Sequence, residues 1–95
     1  MNKSMRRYLA SAVAEEVKNE IDNGEEKFGA FHSLHEGIAV LREEVLELEN
    51  EVFWRPDKEK TDSVREEAIQ VAAVAVRIAM MISPVPVDLP DTEVV

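Results

Sequence analysis

Apolar residues recur along this chain with helical rather than strand spacing, in three blocks. In the first, Leu9, Val13, Val17 and Ile21 fall every fourth residue, with Ala10 and Ala14 beside them. This predicts a helix from about Ser4 to Asp22, ended by Asn23-Gly24, a pair favoured at helix C-termini. Glu25 to Phe31 then reads as a linker carrying two aromatic anchors, Phe28 and Phe31. The second block has the clearest start signal. Ser33 is a good N-cap, and Glu36 three residues on completes a capping box. Leu34, Ile38, Leu41, Val45, Leu48 and Val52 follow at spacings of 4, 3, 4, 3, 4, the seam of a packed helix. This helix should fade near Val52 to Trp54, because Pro56 disfavours helical geometry at Arg55.

After a charged connector, Asp57 to Thr61, a third helix is expected to about Ile82, capped by Thr61, Asp62 or Ser63. Its seam is Val64, Ala68, Val71, Ala75, Ile78 and Ile82, again spaced 4, 3, 4, 3, 4. Unlike the second helix it is apolar elsewhere too. Beyond Gln70 the only strongly polar residue before Ser83 is Arg77. A helix apolar on most sides is buried on most sides. Two companions in one chain can hardly cover it, so an oligomer interface is expected there, and Arg77 is expected to pair with a carboxylate. The remainder, 83–95, carries Pro84, Pro86 and Pro90 and reads as an extended or disordered tail. The expected architecture is all-α: one domain over 1–82, a helical hairpin plus one further helix, completing a four-helix-bundle-like core on oligomerisation.

Size and charge narrow the function. At 95 residues the chain makes one small domain, marginal when alone. With no cysteine it has neither a disulfide scaffold nor a thiolate metal site, which fits a reduced, cytoplasmic setting. A formal charge of −9 argues against DNA or RNA as a partner. The basic start, Lys3, Arg6 and Arg7, is expected to belong to the amphipathic first helix rather than to a signal peptide, since Glu15 and Glu16 interrupt the apolar run. The longest apolar stretch, Val71 to Ile82, contains Arg77 and falls short of the ~20 residues a membrane span needs.

The acidic residues are not evenly spread. At ~100° per residue, Glu44, Glu47 and Glu51 form one stripe of the second helix, directly beside its seam. On the third helix Glu67 lies close to the seam and Gln70 follows on the flank. Antiparallel packing would bring Glu44 and Glu47 opposite Glu67 and Gln70. Three carboxylates and an amide carbonyl are all oxygen donors, the set preferred by Mg2+ or Mn2+. Arg55, Lys58 and Lys60 lie just beyond the second helix within reach of phosphates, and Trp54 and Phe53 can stack on a base. For each, ordinary loop charge or packing is the commoner role. His32 and His35 fit surface or capping roles, since Mg2+ favours oxygen.

Glu43-Glu44-x-x-Glu47 followed by Glu67-x-x-Gln70 resembles the signature of the MazG-type all-α nucleotide pyrophosphohydrolases, Glu-Glu-x-x-Glu and then Glu-x-x-Asp. Lys27-Phe28-Gly29, His35-Glu36-Gly37, Ala39 to Glu44 and Glu66 to Ala73 resemble short bacterial and phage members, and the likeness covers roughly Glu15 to Ile82. The resemblance implies an enzyme that splits (deoxy)nucleoside triphosphates to the monophosphate and pyrophosphate with Mg2+. It implies a homodimer or homotetramer of helical bundles. Carried over by position, it makes Glu44, Glu47 and Glu67 metal ligands, with Gln70 in the fourth place. Glu43 becomes a nearby catalytic or water-orienting carboxylate. The departure is Gln70 in place of Asp: an amide ligates without adding charge and cannot act as a base. Weaker metal binding, fewer ions, or a site that depends on the substrate phosphates to complete it is expected. Two other readings are a MazG-like protein that binds nucleotide or metal with catalysis weakened, and a purely structural helical oligomer.

Overall fold

A computed structural model describes residues 1–54, 60–86 and 88. It is all-helical, with no strand among the described residues: α1 Lys3–Phe28, α2 Leu34–Trp54 and α3 Lys60–Met81. The central element is α3, with α2 packed along one flank and α1 along another. Contacts between α1 and α3 advance together along both, from Glu16 with Arg65 to Glu25 with Arg77, so these helices run parallel. Gly37 meets Ile78 while Glu44 neighbours Glu67, so α2 runs antiparallel to α3.

The first helix is longer than its pattern predicts at both ends. Asn2 caps it, its side-chain oxygen accepting the Met5 N–H at 2.8 Å. At the other end the chain stays helical through Asn23 and Gly24 and ends at Gly29, whose φ of 78° is open to glycine and whose N–H donates to the Glu25 carbonyl. The expected stop at Asn23-Gly24 is therefore corrected. Gly24 serves a close approach instead: a Cβ there would lie 3.2 Å from Arg77 Nη1. Phe28 accordingly lies on α1 and is exposed, whereas Phe31 lies in the following turn with the Arg77 guanidinium stacked 4.0 Å from its ring centre.

The start of α2 follows the sequence closely. Ser33 Oγ accepts the Glu36 N–H at 3.0 Å, and the Glu36 carboxylate turns to His32 Nδ1 at 2.9 Å. That contact with His32 holds the Glu36 carboxyl below its ordinary range. Helix α3 begins at Lys60, so Thr61, Asp62 and Ser63 occupy its first turn rather than capping it, and Asp62 complements the positive end of the helix dipole. The connector residues Arg55 to Glu59 lie outside the described residues.

The orientation of the seams departs from expectation. On α2 Gly37 is buried and Leu41, Glu44, Leu48 and Val52 are half-buried, while Leu34, Ile38 and Val45 stay exposed. On α3 the buried residues are Ala73, Val74 and Arg77, while Ala68, Ala75 and Ile82 are exposed. Each seam is thus only partly turned inward: Leu41, Leu48 and Val52 of α2 and Val64, Val71 and Ile78 of α3 are half-buried, and Glu44 and Glu67 share that half-buried edge. Gly37 permits the approach, since a Cβ there would lie 2.8 Å from Ile78 Cγ1. Gly37→Ala gains about 1 kcal/mol of helix propensity. It forces Ile78 aside at a cost of about 1–3 kcal/mol. The expected result is a net loss in urea denaturation, and a raised midpoint would refute the close-packing account.

Candidate metal centre

Glu44 and Glu47 belong to adjacent turns of α2, and Glu67 comes from the second turn of α3. The antiparallel pairing brings them together: one carboxylate oxygen from each lies within 4.8 Å of the others. Glu44 and Glu67 are half-buried and Glu47 is exposed at the rim. The Oε2 atoms of Glu44 and Glu67 are buried with no hydrogen-bond partner. Burying a carboxylate oxygen without a donor is costly unless a cation or a proton meets it.

The electrostatics agree with the geometry. Burial first, and then the charges of Glu47 and Glu67, push the Glu44 carboxyl up from 4.5 to about 7. Glu67 is also raised, again by burial first and then by Glu47. Without a cation the cluster therefore holds a proton across much of the neutral range. A group of three acidic residues so placed can hold a metal ion, and its donor set is wholly oxygen. The orphaned oxygens of Glu44 and Glu67 fit such an ion from two different helices.

The remaining candidate residues divide clearly. Gln70 is partly buried between two hollows, lining one with Glu44 and another with Glu67. Glu43 is exposed beside Glu44, near enough for its charge to contribute to the raised Glu44 carboxyl. Trp54 ends α2 and is exposed. Arg55 and Lys58 lie outside the described residues, as does the Lys60 side chain. His32 and His35 are exposed and take no part in the cluster.

Next to Glu44 a cleft of about 100 Å³ opens among the three helices, with Val40, Ala73 and Val74 as apolar walls and Glu20 and Arg77 as polar ones. Two of its walls escape sequence reasoning. Glu20 has no signal beyond being another acidic helix residue. Gly24 reads as a helix stop until the Arg77 side chain is seen against it. Arg77 itself finds its expected carboxylate within the chain, bonding Glu25 Oε1 at 3.0 Å and the Gly29 carbonyl at 2.9 Å. The Arg65 guanidinium is likewise engaged by both carboxylate oxygens of Glu16.

No protein-family model, curated protein or solved structure matches this chain. Among the described residues no helix is long and apolar enough to cross a membrane.

Proposed function

We propose that the protein is a Mg2+-dependent, MazG-like nucleotide pyrophosphohydrolase, converting (deoxy)nucleoside triphosphates to monophosphates and pyrophosphate. The observation that carries this reading is the meeting of Glu44, Glu47 and Glu67 from two helices, with buried, unpartnered oxygens on Glu44 and Glu67. A hard cation fits that donor set, and Mn2+ would substitute for Mg2+. When bound, the ion supplies neutralisation of phosphate charge, which an acidic chain of −9 otherwise lacks. Glu44, Glu47 and Glu67 hold it, and Gln70 stands beside them as a neutral oxygen donor. Glu43, exposed next to the cluster, is the carboxylate free to orient the attacking water and take its proton. The cleft next to Glu44 receives the nucleoside end of the substrate, and Trp54, Arg55 and Lys58 are assigned as further substrate contacts on their sequence position alone. A cytoplasmic homo-oligomer, dimer or tetramer, goes with this reading.

A second reading is favoured by one residue. Gln70 supplies no charge where the resembled signature has Asp, so a protein that binds metal and nucleotide with weakened turnover is the alternative. Incubation of the purified chain and Glu47→Ala with a panel of triphosphates and Mg2+, with the products resolved, separates the two. Monophosphate plus pyrophosphate, lost in Glu47→Ala, is the expected result. Mg2+-dependent nucleotide binding with no turnover selects the second reading. Neither binding nor turnover leaves only a structural helical oligomer.

A further inference from the structure

A second hollow, of about 500 Å³, opens where α1 meets the first half of α3. Glu67 and Gln70 are two of its walls, so it borders the acidic cluster. It shares Glu20 and Gln70 with the cleft next to Glu44, so the two hollows succeed one another along α3. Arg77 stands at one end of this course and Arg65 at the other. Twelve residues separate them, about 18 Å of helix. The cluster lies towards the Arg65 end, Glu67 being two residues on from Arg65.

Arg65 is the one cation among the walls of this hollow, beside the carboxylates of Glu16, Glu20, Glu66 and Glu67. Its Nη1 donates to Glu16 Oε1 at 2.9 Å, and its Nη2 donates to Glu16 Oε2. This two-pronged geometry is also how arginine takes a phosphate. The pair is open to water, Arg65 being 50% and Glu16 44% exposed. An exposed ion pair contributes little to stability. Exchanging Glu16 for another two-oxygen anion therefore costs the fold little. A pyrophosphate group offers such oxygens and carries more charge than one carboxylate. It can enter an acidic hollow only where Arg65 and a cation at the cluster offset the carboxylates.

We propose that Arg65 receives the terminal phosphates of the substrate and holds the pyrophosphate after cleavage, and that Glu16 occupies the guanidinium until they arrive. Arg65 has this role only if the cluster is a metal centre and the cleft next to Glu44 takes the nucleoside, so it rests on the proposed function. With the nucleoside in that cleft, the phosphate chain runs along α3 past Gln70 and Glu67 and ends at Arg65. Glu16 then acts in two ways. It keeps the guanidinium oriented, and it competes with the phosphates for the same donors. Removing one partner of the pair should therefore weaken phosphate binding, and removing the other should strengthen it. A pair that only fastens α1 to α3 has no such opposition of sign.

The test uses the whole chain, Mn2+ and inorganic pyrophosphate, with Mn2+ affinity measured first and pyrophosphate binding then read by calorimetry. Arg65→Ala should weaken pyrophosphate binding by about 10-fold or more, the loss of a charge-assisted pair of hydrogen bonds. Arg65→Lys should recover part of that loss. Glu16→Gln should strengthen binding by about 2–5-fold, because the binding-competent guanidinium is then more often free. Lys18→Ala removes an exposed cation of α1 that pairs with Glu15, and should leave binding unchanged. All four variants should bind Mn2+ as the native chain does. Should Arg65→Ala fail to fold, Glu16→Gln, which keeps the native shape, decides by its sign alone. Weaker binding in Glu16→Gln overturns the inference and leaves the pair a structural strut. Equal losses in Arg65→Ala and Lys18→Ala also overturn it, reducing the effect to overall charge. A native chain that binds Mn2+ but no pyrophosphate overturns the role of Arg65 alone. One that binds no Mn2+ overturns the functional reading together with it.

Discussion

Glu44→Gln should make the metal-free protein more stable at pH 8 while abolishing most of its metal affinity. The two effects have one cause. Burial and the neighbouring carboxylates raise the Glu44 carboxyl to about 7 in the folded chain, so the folded state binds that proton more tightly than the unfolded one. The resulting stabilisation is fully present below about pH 4.5, where Glu44 is protonated in both states. It is lost progressively as pH rises through about 7. One pKa unit is worth about 1.4 kcal/mol, so the full shift sets a ceiling of about 3 kcal/mol. Glu44 is only half-buried, and solvent screening reduces the realised figure to about 1–2 kcal/mol.

A neutral amide of the same shape escapes that loss. Urea denaturation in EDTA should therefore place Glu44→Gln above the native chain at pH 8 and level with it at pH 5. Added Mn2+ should reverse the order at pH 8, because the cation stabilises only the carboxylate site. Mn2+ affinity in the variant should fall by about 100-fold or more. Equal stabilities at pH 8 in EDTA would show that Glu44 is not under electrostatic strain. Unchanged Mn2+ affinity would remove it from the ligand set.

Much of this arrangement is legible in the sequence, but unevenly. The three helices follow from period alone, and Ser33 with Glu36 fixes the start of α2 because capping chemistry is local. The acidic cluster is legible because Glu44, Glu47 and Glu67 occupy fixed turns of two helices, and antiparallel packing is the geometry that joins them. The direction in which each helix faces is not legible. Hydrophobicity assigns the apolar seams to the interior, yet Leu34, Ile38 and Val45 stay exposed while Glu44 is half-buried. A half-buried carboxylate gains nothing from transfer out of water. Such an orientation suits carboxylates that meet a cation. The end of α1 is missed for a different reason. Asn23-Gly24 has the composition of a helix stop, and nothing local says that the missing side chain of Gly24 makes room for an arginine 53 residues later.

That arginine carries the second large effect. Arg77 is 7% exposed, and its guanidinium meets Glu25, the Gly29 carbonyl and the Phe31 ring together. It joins α3 to the C-terminal end of α1, where unpaired carbonyls and a negative helix end favour a cation. Arg77→Ala leaves the partly buried Glu25 without its partner and empties the space beneath Phe31. A loss of about 3–5 kcal/mol is expected in urea denaturation, the range for breaking a buried pair from one side. For a domain with so small a core, that is much of its total stability. Arg77→Lys should recover only part of the loss, since an ammonium cannot reach Glu25 and Gly29 with separate donors of a planar fork. Removing both charges in Arg77→Met with Glu25→Leu should cost less than Arg77→Ala alone, because no charge is then left stranded. A loss below about 1 kcal/mol for Arg77→Ala would reduce the contact to the level of a surface pair. The candidate metal ligands lie on α2 and α3, whereas Arg77 fastens α1. The folded fraction of Arg77→Ala should therefore bind Mn2+ as the native chain does, separating the residue that secures the fold from those that hold the ion.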